Sequence, residues 1–144
     1  MISQKAKYAL RALLELAKTK PGEALLITEI AARQNIPKKF LEQILLDLKH
    51  QGLLHSKRGR GGGYSLLRAP NLISFGQVLR IIDGPMAPLP CLSRMAYRLC
   101  EDCTDEHACE IRRVFATAYE QTAKVLDSTT LADAITAGKL PIEP

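Results

Sequence analysis

With 144 residues, 47% of them apolar but only three Phe, four Tyr and no Trp, the chain suits one domain whose core rests on Leu, Ile, Val and Ala. Its net charge of +5 is uneven: residues 1–70 hold thirteen Lys or Arg against five Asp or Glu, and residues 71–144 hold seven against ten. A basic half beside an acidic half points to a polyanion partner, nucleic acid first because Lys and Arg displace counterions from phosphates, with a solvated basic face as the alternative; no apolar run approaches the ~20 residues of a membrane span, so no membrane partner is expected.

Ala6, Ala9, Leu10, Leu13, Leu14 and Ala17 recur at helical spacing and predict an amphipathic helix that ends before Pro21-Gly22. The apolar residues after Lys5 and Lys7 are interrupted by Arg11 and Glu15, unlike a leader core, and a cytoplasmic protein is expected. The segment Ala24 to Ile27 leads to Thr28, a plausible N-cap for a brief helix over Glu29 to Arg33. Asn35-Ile36-Pro37 reads as a tight turn into a second helix whose apolar face is Phe40, Leu41, Ile44, Leu45 and Leu48, stopped by Gly52. Two short helices about a tight turn are the helix-turn-helix pattern, or else part of any small bundle.

The next residues decide between these. Leu53 to Ser56 and Tyr64 to Leu67 predict two strands, joined by Lys57-Arg58-Gly59-Arg60-Gly61-Gly62-Gly63. A glycine-rich hairpin carrying three cations, directly after such a pair of helices, is a wing. A nucleotide cradle is the alternative, but no Gly-Lys-Ser/Thr closes the loop and no strand–loop–helix surrounds it. Another helix is expected within 72–83, capped by Ser74, and the three prolines between Gly84 and Pro90 break it. From Glu110, helical spacing returns, with Ile111, Val114, Phe115, Ala118, Val125 and Leu126 on one side. That stripe exceeds what this chain can cover and predicts a partner subunit, the alternative being packing onto the first helix alone. A final turn over 130–135 precedes a polar tail.

The expected fold is therefore mainly α with a small β-hairpin wing: a winged helix-turn-helix over 1–70, a connecting helix and Pro-rich turn over 71–90, a cysteine loop over 91–109, a long dimerisation helix and final turn over 110–137, and a tail over 138–144. For duplex DNA, Lys39, Glu42 and Gln43, with Lys38, are the candidate base readers: Gln pairs with adenine and Glu accepts from cytosine N4. Arg58 and Arg60, about Gly61, would anchor the wing at a phosphate or minor-groove edge, and Lys5, Lys7 and Tyr8 would hold phosphates. His50 and His55 read as phosphate contacts or surface residues. Ser56 and Ser65 have no evident base partner in the sequence, and no enzyme is expected.

Cys91, Cys100, Cys103 and Cys109 fall within nineteen residues, with intervals of eight, two and five. In a reducing compartment such thiols suit a soft metal or redox chemistry better than disulfides. An iron–sulfur cluster, a four-thiolate zinc site built on the Cys100-x-x-Cys103 knuckle, and a bare thiol switch all remain open.

Lys7-Tyr8-Ala9-Leu10, the run Ile36 to Leu45, the wing Arg58 to Leu66, Ile73 to Gly84, the cysteine segment and Asp127 to Ile135 together resemble the IscR, NsrR and RirA type of bacterial winged-helix regulator, from Ser3 to Ile135. The resemblance implies a homodimer on a palindromic operator. The helix that starts near Pro37 would lie in the major groove, and the helix after Cys109 would cross its twin. Many such regulators sense cluster supply, iron, nitric oxide or oxidants through a 2Fe-2S or 4Fe-4S cluster, while others lack the cysteines. Cys91, Cys103 and Cys109 match the three typical ligands. Cys100 is additional and a candidate fourth, with His107 or a partner residue as alternatives. The longer interval between Cys91 and Cys103 departs from the pattern. The resemblance leaves open the operator, any RNA polymerase contact, and whether the loaded or the empty form binds. The rival functions are a small iron–sulfur redox protein, a constitutive zinc-stabilised DNA-binding protein, and an RNA-binding winged helix; the last lacks an aromatic stacking platform.

Overall fold

The computed structural model describes residues 2–136; the expected tail at 138–144, and the last position of 110–137, lie outside the described residues. The first helix, α1 (Gln4–Ala17), is capped by Ser3, whose hydroxyl accepts the Ala6 N–H at 3.0 Å. Its buried stripe is Ala6, Ala9, Ala12, Leu13 and Leu16. Leu10, Leu14 and Ala17 are only half-buried, a small rotation from the expected face. Ser3 also donates its backbone N–H and its hydroxyl to Asp83, tying the start of α1 to a later helix.

The second helix, α2 (Ile27–Gln34), begins two residues before the expected Glu29. Thr28 is therefore inside it and caps nothing. The cap position is Leu26, whose N–H is taken by the Glu29 carboxylate at 2.8 Å. Asn35 ends α2 in the left-handed region (φ 51°, ψ 51°), which Asn tolerates better than most residues. Helix α3 (Lys38–His50) follows, and Leu41, Ile44, Leu45 and Leu48 are buried as expected. Phe40 is not: it is 45% exposed and meets Tyr8 edge to face, with ring centroids 5.7 Å apart.

Strands β1 (Leu54–Lys57) and β2 (Gly63–Leu66) pair antiparallel, Leu54 opposite Leu66 and Lys57 opposite Gly63, each shifted one residue from its expected place. Leu25 extends this sheet: it donates to the Tyr64 carbonyl at 2.9 Å and accepts the Tyr64 N–H at 2.7 Å. The wing is thus pinned to the segment between α1 and α2. Gly63 sits there at φ 127°, and a Cβ on it would run into the Leu25 carbonyl.

A single turn of 3-10 helix (Pro70–Leu72) leads to α4 (Phe75–Asp83), with the expected cap: Ser74 Oγ accepts the Gln77 N–H at 3.2 Å. A second such turn (Pro90–Leu92) opens the cysteine loop, and α5 (Glu110–Ser128) follows it. The last helix, α6 (Leu131–Thr136), returns to α1. Backbone bonds from Phe75 to Thr129 and from Leu131 to Ile73, both 3.0 Å, hold that return, and Leu131 is fully buried. One core therefore joins Ala9, Ile30, Ile44, Leu54, Val78 and Leu131. Helix α5 packs against α4 and the Pro90–Leu92 turn rather than onto α1, and none of its residues is buried. Val114 is 69% and Ile111 63% exposed, so the apolar stripe seen in the sequence is open over most of its length, Leu126 alone of its residues being half-buried.

Candidate nucleic-acid interface and cysteine cleft

Burying Leu41, Ile44, Leu45 and Leu48 turns the other side of α3 outward. Lys38, Lys39, Glu42 and Gln43 all stand exposed there. Gln43 among them is held by Asp47, which the sequence reading did not single out. One Asp47 oxygen accepts Lys5 Nζ at 2.8 Å and the other accepts Gln43 Nε2 at 2.9 Å. The lysine hydrogen bond, aided by that from Gln43, holds the Asp47 carboxyl below its ordinary range despite an opposing desolvation. Lys5 is thus engaged with α3 rather than free, whereas Lys7 is exposed and Tyr8 half-buried against Phe40. The i, i+4 spacing of Gln43 and Asp47 was the sequence signal for this latch.

Arg58, Arg60 and Gly61 stand exposed at the tip of the hairpin. The Gly62 N–H donates to the Gly59 carbonyl at 3.0 Å and tightens the turn, so the two arginines emerge from adjacent backbone. On the neighbouring strands, Lys49 Nζ donates to Ser56 Oγ at 2.8 Å. His55 Nε2 lies 2.8 Å from Ser65 Oγ, which corrects the expectation that Ser65 has no base beside it: the cross-strand register brings the two together. The pair is an exposed hydrogen bond, and among the described residues no carboxylate is hydrogen-bonded to the far side of His55 as in a hydrolase triad.

The cysteine loop forms a second site. Cys91, Cys100, Cys103 and Cys109 are free thiols that line one cleft of about 470 Å³ with Leu89, Ile111 and Arg112. Cys91 is buried, Cys103 and Cys109 are half-buried, and Cys100 is exposed. Burial, then the neighbouring thiols, push the Cys103 thiol up from its usual range. Cys109 is the N-cap of α5, its sulfur accepting the Arg112 N–H at 3.4 Å. The Arg112 guanidinium reaches the Cys91 carbonyl at 3.4 Å, and its buried Nε has no partner among the described residues. Tyr97 donates to Glu106 at 2.6 Å and ties together two parts of the loop. His107 is exposed, its backbone N–H donating to Asp105, and it does not line the cleft.

Among the described residues, no three Cys, His, Asp or Glu side chains already stand at the spacing of a single metal ion. The donor set nevertheless fits a soft metal group: four thiols face one cleft, and an unpaired guanidinium N–H stands in its wall. No described helix is long and apolar enough to cross a membrane.

The Rrf2 family model, described as an iron-dependent transcriptional regulator, matches residues 2–137. An rrf2-like HTH-type protein of Rhodobacter capsulatus is 56% identical over 141 residues, covering 96% of this chain and 94% of that one. The structure of CymR, the global cysteine regulator of Bacillus subtilis, superposes with a TM-score of 0.80 at 31% identity, over 96% of this chain and 98% of that one. T. potens IscR gives a TM-score of 0.75 at 27% identity, over 96% and 88%. With the helix-turn-helix, the wing and the long helix α5 all in place, the chain belongs to the Rrf2 family: it is a DNA-binding winged-helix transcriptional regulator and not an enzyme.

Proposed function

We propose that two copies of this chain bind a palindromic duplex operator and that the cysteine cleft switches the binding. Helix α3 enters the major groove with Lys38, Lys39, Glu42 and Gln43 towards the bases. Arg58 and Arg60, about Gly61, meet the flanking phosphates or minor groove, and Lys7 and Tyr8 meet the backbone. Lys5 neutralises Asp47 at the groove rather than meeting a phosphate alone. The observation that carries the switch is Cys109, which is at once a wall of the four-thiol cleft and the N-cap of α5.

Cys91, Cys103 and Cys109, with Cys100 as fourth donor, would hold an iron–sulfur cluster, which when bound supplies thiolate-ligated iron sensitive to oxidation and iron supply. The residues of the chain do the rest. When 91–109 is ordered, Cys109 and Arg112 fix the first turn of α5. The exposed stripe of α5 meets its twin in the second subunit, so the set of that turn governs the spacing of the two α3 helices. Such a switch needs the two DNA-binding states to differ in their affinity for the signal.

A bare thiol switch is the second reading, favoured by the likeness to a relative named a cysteine regulator and by four free thiols, one of them exposed. Zinc is the third, on donor chemistry alone. An anaerobic absorption spectrum with iron, sulfide and zinc analysis separates the three. Anisotropy on one selected operator, with loaded, stripped and oxidised protein, then tests the switch. Visible absorbance with iron and sulfide, and unequal affinities, are expected. Colourless protein overturns the cluster, and equal affinity in every state overturns the switch.

A further inference from the structure

Phe40 spends 45% of its surface on solvent in a chain with only three Phe, although the apolar face of α3 is complete without it. The edge-to-face contact with Tyr8 favours this placement of the ring and reduces the side-chain freedom to be lost on binding. Phe40, Pro37, Lys39, Gln43 and Lys5 together line an open hollow of about 450 Å³, almost wholly apolar in its walls and rimmed by two lysines.

Gln43 supplies the second observation. Its Nε2 already donates one hydrogen to Asp47. What remains is one N–H and the amide oxygen. Those two groups complement adenine in the major groove, where N7 accepts and the N6 amine donates. Each adenine is paired with thymine, which presents a 5-methyl group in that same groove. The apolar wall next to Gln43 therefore faces what an A·T pair offers beside its hydrogen-bonding edge.

We propose that Phe40 is a specificity-determining residue that packs on the 5-methyl group of a thymine, at or next to the A·T pair read by Gln43. Lys5 at the rim is already paired with Asp47, so Lys39 supplies the rim's attraction for phosphate, and the ring and the amide together select A·T over G·C. The inference rests on the operator-binding reading, but it concerns one methyl group and fails separately from it.

The test uses the intact protein and a duplex selected by it from a random pool. Each thymine is replaced in turn by deoxyuridine, which removes only the methyl. At one thymine per half-site, the wild-type protein should bind about fourfold more weakly, the value of one buried methyl group. Phe40→Ala should bind the two duplexes equally. The ratio is taken within each variant, so a change in folded fraction cancels. Indifference of the wild type to every deoxyuridine, or a ratio unchanged in Phe40→Ala, overturns the proposal. Failure to select any duplex overturns the operator reading, and this proposal with it.

Discussion

Arg80 and Asp127 are joined by two parallel hydrogen bonds, 2.6 and 3.0 Å, that clamp the last turns of α5 onto α4. The clamp is possible because residue 76 has no side chain: a Cβ there would collide with Asp127 Oδ1. Gly76→Ala should therefore gain little or no stability, although Ala is the better helix former, because the methyl displaces the Asp127 carboxylate and the loss of the pair offsets the gain. In an Asp127→Ala background the same change should become stabilising, by up to ~1 kcal/mol. Urea unfolding of the two single variants and the double variant checks that the gain from Gly76→Ala appears only when Asp127 is removed. Asp127→Ala alone should cost little, about 0.2–1 kcal/mol, because the pair is partly exposed.

Acid should loosen the fold in a defined way. The Arg80 guanidinium holds the Asp127 carboxyl below its ordinary range, and the Lys5 ammonium does the same for Asp47. A carboxyl lowered on folding adds stability above its unfolded value, near pH ~4, and loses it as pH falls through the lowered folded value. In Lys5→Met the Asp47 share should be missing. The gap in unfolding free energy between wild type and variant should thus be widest at neutral pH and close in acid. A gap that stayed constant from pH 7 to pH 3 would contradict the pairing.

Gly63→Ala should disable the wing. The residue combines φ 127° with backbone contact to Leu25, so an added methyl meets strain and a collision together. A loss of at least ~1–3 kcal/mol is expected, read from the thermal midpoint. Faster amide exchange at Leu25 and Tyr64 should accompany it, because their paired bonds are the ones displaced.

Removing wing charge and removing a base reader should leave different signatures. Arg58→Ala and Arg60→Ala should each weaken binding to all duplexes alike and reduce the salt slope by about 1. Gln43→Ala should cost ~1–3 kcal/mol at one base position and leave the slope unchanged. Titrations at several salt concentrations, on matched and mismatched duplexes, separate the two.

A charge in the open stripe of α5 should abolish self-association. Val114 is exposed in one chain yet belongs to an apolar row with Ile111, Phe115 and Val125. Val114→Glu should shift the protein to monomer by sedimentation while its helix content holds, since the core does not include Val114.

Much of this molecule was legible in its residues. The elements, the tight turn at Asn35, the cap at Ser74 and the glycine-rich wing follow from local rules of spacing, capping and backbone freedom. Those rules misplaced the start of α2, because the Glu29 carboxylate caps Leu26 from inside the helix, a device that does not need Thr28. They also assigned Phe40 to the core. Spacing puts it at the edge of the apolar face, and only the position of Tyr8 on α1 shows that no cavity waits for it.

What the order of residues determined alone was the family, the winged helix-turn-helix and the crowding of four thiols into one loop. Each of these is written in short-range pattern. The tertiary fold decided the pairings between distant positions: Lys5 with Asp47, Leu25 with Tyr64, Arg80 with Asp127, and Leu131 in the core of the N-terminal half. The physical reason is that helical or strand period says which face of an element is apolar. Which neighbour covers that face depends on how the whole chain closes around one core.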